Sequence, residues 1–185
     1  IFDFVLQGNK LRFQELTIGN IRVNADLNPS GILNVSQLSL DNQDSSIKGG
    51  GTVRLFRDSF DFDPTFPMNF YADFRNIDFK NFLNQSRASG TIDGKMTLSG
   101  DSKSLQAKLS LQGKNVAAED IRFGDFITNA RFSKGNLYLD QMEVTNRKSV
   151  LRISGIFGLL DPMTMNPLED PSFEFELEGD TIFIE

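Results

Sequence analysis

Ser89-Gly90-Thr91-Ile92-Asp93-Gly94-Lys95-Met96-Thr97-Leu98-Ser99-Gly100 is followed, after Asp101-Ser102-Lys103-Ser104, by Leu105-Gln106-Ala107-Lys108-Leu109-Ser110-Leu111-Gln112-Gly113. In the first run Ile92, Gly94, Met96 and Leu98 alternate with Asp93, Lys95, Thr97 and Ser99. In the second, Leu105, Ala107, Leu109 and Leu111 alternate with Gln106, Lys108, Ser110 and Gln112. Successive side chains of a strand point to opposite faces, whereas a helix returns to one face every third or fourth residue. A period of two with one apolar and one wet side therefore reads as a pair of half-buried strands. The same alternation extends outward in both directions. It unites Phe2, Phe4 and Leu6; Ile21, Val23, Ala25 and Leu27; Met68, Phe70, Ala72 and Phe74; and Phe173, Phe175 and Leu177, the last set opposite Glu174, Glu176 and Glu178. No segment sustains a helical period, the best candidate being a turn around Lys80-Asn81-Phe82-Leu83. Asn28-Pro29-Ser30-Gly31, Lys134-Gly135-Asn136 and Asn166-Pro167 are turn chemistry between strands and predict meander-like antiparallel connections.

The composition narrows the functions. Among 185 residues there is no cysteine and no histidine, which excludes thiol nucleophiles, imidazole bases, Ser-His-Asp triads and Cys/His zinc sites. A net charge of −6 and a sequence pI near 4.7 disfavour nucleic acid, whose phosphates need clustered Lys and Arg, and likewise a bare anionic membrane surface. No run approaches the roughly 18 consecutive apolar residues of a membrane span, and no signal peptide is recognisable. The chain opens in mid-alternation on Ile1-Phe2-Asp3-Phe4, so it reads as part of a longer protein whose targeting and anchoring segments lie elsewhere. Aromatic usage is lopsided: 18 Phe, 2 Tyr and no Trp. Phenylalanine has no polar handle and suits a ring that faces only apolar material.

Sliding the chain against itself by 105 residues brings Leu6-Gln7-Gly8 onto Leu111-Gln112-Gly113 and Asn24-Ala25-Asp26-Leu27 onto Asn129-Ala130-Arg131-Phe132. After one deletion, Gly31 to Val35 meets Gly135 to Leu139, and Pro67 with Phe70, Ala72 and Phe74 is set against Pro171 with Phe173, Phe175 and Leu177. The reading is one continuous unit over 1–185, with a first repeat at about 2–106 and a partial second at about 107–185. Apolar parity also slips alike in both. Leu16 and Ile18 are out of phase with Ile21 and Val23, as Ile121 and Phe123 are with Phe126. Leu33 and Val35 are out of phase with Leu38 and Leu40, as Leu137 and Leu139 are with Met142 and Val144. An extra residue in a strand is a bulge, which bends it and raises its twist. A sandwich or closed barrel would also hide the apolar face. A repeat that continues at each end favours a quasi-one-dimensional stack. The expected fold is all-β: a single elongated, strongly curved antiparallel sheet of roughly a dozen or more strands at about 4.8 Å spacing, shaped as a half-pipe with a hydrophobic groove.

The run Ser89 to Gly100, the alternation through Gly113, and the later Ile121-Arg122-Phe123-Gly124, Ala130-Arg131-Phe132, Gly135-Asn136-Leu137-Tyr138-Leu139 and Leu151-Arg152-Ile153-Ser154-Gly155 together resemble the repeating unit of the TamB/AsmA-like family. The resemblance covers most of the chain. It implies a β-taco, in a long protein anchored in the inner membrane and crossing the periplasm of a diderm bacterium, with relatives also at the chloroplast envelope. The implied function is phospholipid transport from inner to outer membrane. The family's alternative role is a scaffold for assembly and secretion of outer-membrane β-barrel proteins and autotransporters, with an Omp85-type partner and unfolded barrel clients.

Other motifs have plainer readings. Gly49-Gly50-Gly51 lacks the Gly-Lys-Ser/Thr of a phosphate loop and reads as close backbone approach in a strand. Asp58, Asp61 and Asp63 have calcium-like spacing but lack the EF-hand glycine and terminal glutamate, so a solvated loop is favoured and no metal is expected. Glu174, Glu176 and Glu178 read as a wet outer face, and Asn34-Val35-Ser36 and Asn84-Gln85-Ser86 as chance glycosylation patterns. With no catalytic residue and no cofactor expected, the constellation with reach is the apolar row. Its predicted lipid-groove lining is Phe70, Phe74, Ile92, Met96, Leu98, Leu109, Leu111, Phe123, Phe126, Phe132, Leu139, Ile153, Phe157, Phe173 and Phe175, facing phospholipid acyl chains.

Overall fold

The computed structural model describes residues 2–13, 16–57, 61–78, 88–119, 121–147, 149–162 and 164–179. The helical turn expected around Lys80 to Leu83 lies outside them, as does Asp58. The strands are β1 (Phe2–Phe13), β2 (Leu16–Leu27), β3 (Ile32–Asn42), β4 (Ser45–Arg54), β5 (Met68–Asp78), β6 (Ala88–Gly100), β7 (Gln106–Ala118), β8 (Ile121–Ser133), β9 (Asn136–Asn146), β10 (Ser149–Leu160) and β11 (Pro167–Gly179). They form one 11-stranded sheet in sequence order, each strand antiparallel to the one before it, with β1 and β11 as its two edges. Most strands pair with their chain neighbour across a short connection, the longer exception among the described residues being 55–67 between β4 and β5. Asn28 Oδ1, for instance, accepts the amides of Ser30 and Ile32, both at 3.0 Å, and so folds the chain back between β2 and β3. The sheet is open, so neither the sandwich nor the closed barrel is formed. The described residues form eleven strands, most of them 11 to 13 residues long, about twice the common strand length.

The register shifts fall where apolar parity slips in the sequence. Between β1 and β2, pairing steps from Gly8↔Ile21 to Leu11↔Gly19 and then to Arg12↔Thr17. Between β7 and β8 it steps from Gly113↔Phe126 to Val116↔Gly124 and then to Ala117↔Arg122, every residue 105 further along than its counterpart. In each case one residue of the first strand is thrown into the left-handed region, Lys10 at φ 53° and Asn115 at φ 50°. Its amide then donates to a side chain of the next strand, Lys10 N to Asn20 Oδ1 at 3.1 Å and Asn115 N to Asp125 Oδ1 at 2.8 Å. Gly19 at φ 97° and Gly124 at φ 89° complete the bulges. A Cβ at either would run into a backbone carbonyl, that of Asp41 or Thr145, on the following strand. The shift between Val35 and Leu38 against β4 is likewise matched by the one between Leu139 and Met142 against β10.

The final segment departs from the alignment made on Pro67 and Pro171. Met68, Phe70 and Ala72 pair with Val53, Gly51 and Gly49, whereas Phe173, Phe175 and Leu177 pair with Phe157, Gly155 and Ile153. Those β10 residues stand 104 positions after their β4 counterparts, so Phe175, not Phe173, takes the place of Phe70. Pro67 precedes β5, while Pro171 lies inside β11. A proline match is a weak guide to register, because the ladder is set by cross-strand pairing and not by turn residues.

Candidate functional site: an open apolar sheet face

Residues directly opposite one another in a ladder share a face, so following each pair to the next strand traces rows across the whole sheet. One row runs Gly8, Ile21, Leu40, Ile47, Phe74, Gly94, Leu111, Thr128, Met142, Ile153, Leu177. The next runs Leu6, Val23, Leu38, Gly49, Ala72, Met96, Leu109, Ala130, Leu139, Gly155, Phe175, and a third Phe4, Ala25, Val35, Gly51, Phe70, Leu98, Ala107, Phe132, Leu137, Phe157, Phe173. Two shorter rows flank these three. Phe2, Leu27, Leu33, Val53, Met68 and Gly100 cover one end of β1 to β6. Ile77, Ile92, Gly113, Phe126, Val144, Leu151 and Gly179 cover the other end of β5 to β11. Thr128 is the one polar side chain in the five rows, and its hydroxyl donates to the Gln141 carbonyl at 3.2 Å.

This arrangement brings together every predicted lining residue except Phe123. That residue falls where pairing jumps from Gly124 to Arg122 and has no partner in the ladder. Reading the lining only from β5 onward also missed Phe2, Phe4, Leu6, Val23 and Leu38. The alternation in the first strands is the signal that identifies them.

Small residues recur along the middle row, at Gly49, Ala72, Ala130 and Gly155, while rings stand in the rows beside it at Phe70, Phe74, Phe132 and Phe157. No second layer covers the face among the described residues. Among the described residues the buried apolar side chains reduce to Ala130, 9% exposed, whereas Phe173 is 67% and Phe4 51% exposed. Ten inter-strand gaps at about 4.8 Å and four same-face residues per strand at about 6.7 Å give an apolar area on the order of 1,300 Å². A typical monomer's largest apolar patch is roughly 300 to 600 Å².

The opposite face is mostly polar, interrupted by Val5, Tyr71, Ile127, Tyr138 and Ile156, and it carries cross-strand charge pairs: Lys95 with Asp73 at 3.9 Å, Arg131 with Asp140 at 2.8 Å and Arg152 with Glu143 at 3.2 Å. Arg131 also lies 4.0 Å over the Tyr138 ring. Glu174, Glu176 and Glu178 are exposed on this side. Gly49 and Gly51 lie on the apolar side, and a Cβ on either would run into the backbone carbonyl of Tyr71 or Asn69.

Asp63 is not in a solvated loop. It is 4% exposed, and its Oδ1 accepts the Thr65 hydroxyl at 2.7 Å, the Thr65 amide at 3.1 Å and Arg57 at 3.3 Å. These bonds, those of Thr65 first, hold its carboxyl below the ordinary range. They pin the β4–β5 connection, where Phe62 meets Phe56 and Phe66 edge-on at 6.3 and 4.9 Å between ring centroids. Among the described residues no cluster of three or more acidic side chains could hold a metal ion. No protein-family model matches the chain, and no curated protein or solved structure matches it either.

Proposed function

We propose that the apolar face is the floor of a hydrophobic groove along which phospholipid acyl chains pass between the inner and outer membranes, in a longer periplasmic protein anchored in the inner membrane. The observation that carries this reading is the run of three apolar rows across all eleven strands with no facing layer among the described residues. Each methylene taken from water onto such a surface gains roughly 0.8 kcal/mol. A wall of Leu, Ile, Val, Met and Phe offers this gain without directional bonds, so a chain slides along it without a deep trap. The bulges recurring 105 residues apart support a repeated unit, 2–106 and 107–185, that bends the sheet alike along its length. The resemblance to the TamB/AsmA-like family points the same way.

Photo-crosslinkers at Met96 and Leu109, on the apolar face, should capture phospholipid, whereas those at Lys95 and Lys108, on the polar face, should not. Equal labelling of the two faces would refute the assignment.

A further inference from the structure

We propose that the polar face over β5 to β9 binds an anionic oligosaccharide, a chain of sugar rings bearing carboxylates, laid across the strands. The ladder sets Tyr71, Thr97, Lys108, Arg131 and Tyr138 opposite one another in one unbroken row over these strands. The neighbouring row on the same face is Asn69, Ser99, Gln106, Ser133 and Asn136. The inference concerns the face turned away from the apolar rows, so it does not depend on the lipid reading.

Charge is the first feature that specifies the ligand. Lys108 stands directly opposite Arg131, and like charges so placed weaken a sheet until an anion lies over them. Arg131 Nε bonds Asp140 at 2.8 Å, but among the described residues Lys108 has no carboxylate partner. In a chain of net charge −6 this is a local excess of positive charge, fitted to a short acidic ligand and too small for a nucleic acid. The second feature is aromatic. Tyr71 and Tyr138 are the only tyrosines in the chain, and they close the two ends of the row. A phenol offers its ring to the C–H face of a sugar and its hydroxyl to the sugar oxygens. Tyr71 is 53% exposed and forms the stacking platform, whereas Tyr138 lies 4.0 Å beneath Arg131 and orients the guanidinium.

The third feature is the row of amides and hydroxyls beside it. Asn69, Ser99 and Gln106 are exposed, and among the described residues their side chains have no partner within the chain. Each of these groups both donates and accepts, as the hydroxyls of a sugar do. Strands follow one another at about 4.8 Å, close to the length of one ring along a glycan, so each strand meets about one ring. An acidic peptide would use Lys108 and Arg131 but leave Tyr71 and the amide row unmatched.

The chain has no tryptophan, so tyrosine emission reads Tyr71 and Tyr138 and hence the row itself. The test titrates the 185-residue chain with tetragalacturonate, with its fully methyl-esterified form, which keeps the rings without the charge, and with tetraglutamate, which keeps the charge without the rings. Tetragalacturonate should change the emission and bind at least about ten-fold tighter than either, the factor that one charge-assisted hydrogen bond supplies. Lys108→Gln should lose about ten-fold in affinity while melting no lower than the parent, because it relieves the like-charge pair. Lys48→Gln, an equal change of charge on the same face but outside the two rows, should leave the affinity unchanged. Unchanged emission with tetragalacturonate, equal binding of the ester or of tetraglutamate, undiminished affinity in Lys108→Gln, or a matching loss in Lys48→Gln would overturn the proposal.

Discussion

Gly113 is buried beneath a ring of the apolar face, and filling its space measures how much that ring contributes. It pairs with Phe126, and an added Cβ would overlap Cε1 of the ring and stand 2.5 Å from Cδ1 and 2.8 Å from Cζ. Ordinary carbon contacts begin near 3.5 Å, so in Gly113→Ala the ring must swing off. Phe126 is half-buried; losing about half of a Phe burial costs roughly 1 kcal/mol, and an off-rotamer ring adds about 0.5 to 1.5 kcal/mol. The alanine returns about 0.5 to 1 kcal/mol through reduced backbone freedom in the unfolded chain. The net is a destabilisation of about 1 kcal/mol in urea unfolding. In a Phe126→Ala background the clash is gone, and the same Gly113→Ala should stabilise by about 0.5 to 1 kcal/mol. The double-mutant cycle therefore predicts a coupling of about 1.5 to 2 kcal/mol. A coupling within about 0.5 kcal/mol, the scatter of independent sites, would refute the claim that the ring packs on this glycine.

The remaining predictions concern shape, cargo and pH. An open sheet of eleven strands gives a radius of gyration of about 19 Å if flat, against about 16 Å for a compact domain of this length; small-angle scattering at 16 Å would restore a closed core. Leu109→Asp with Phe132→Asp places two carboxylates in the apolar rows while leaving the edges paired, and should stop lipid passage in the full-length protein; transport that survives alongside failed barrel assembly would favour the scaffold role. Bonds to Thr65 and Arg57 lower the Asp63 carboxyl below its unfolded value of about 3.9. Its stabilisation is therefore full above that value and lost as pH falls through the lowered folded value. Asp63→Asn should accordingly melt below the parent at pH 7 and converge with it in acid; a gap independent of pH would contradict this. Asp101, lowered by the Lys103 amide and the Ser104 hydroxyl and amide, should behave in the same sense in Asp101→Asn melting curves.

Strand existence and facing were legible from the residues alone, because a strand's period of two is a local property. Ile92 to Leu98 and Leu105 to Leu111 declare their apolar side without knowledge of any partner. The slips at Gly19 and Gly124 were legible too, as breaks of parity. Register was not, since pairing is decided between strands: Phe123 lost its place in the rows to a two-residue step, and Pro171 proved to lie inside β11. Asp63 read as solvated because its burial depends on Arg57, Thr65 and the three rings folding over one another, contacts that carry no periodic mark. The open edges were likewise a matter for the tertiary structure. Alternation states that one face is apolar, but whether that face closes on itself depends on the twist and bend accumulated over eleven strands. Here, among the described residues, that sum leaves the sheet open, with β1 and β11 as its edges and the phenylalanine rows uncovered.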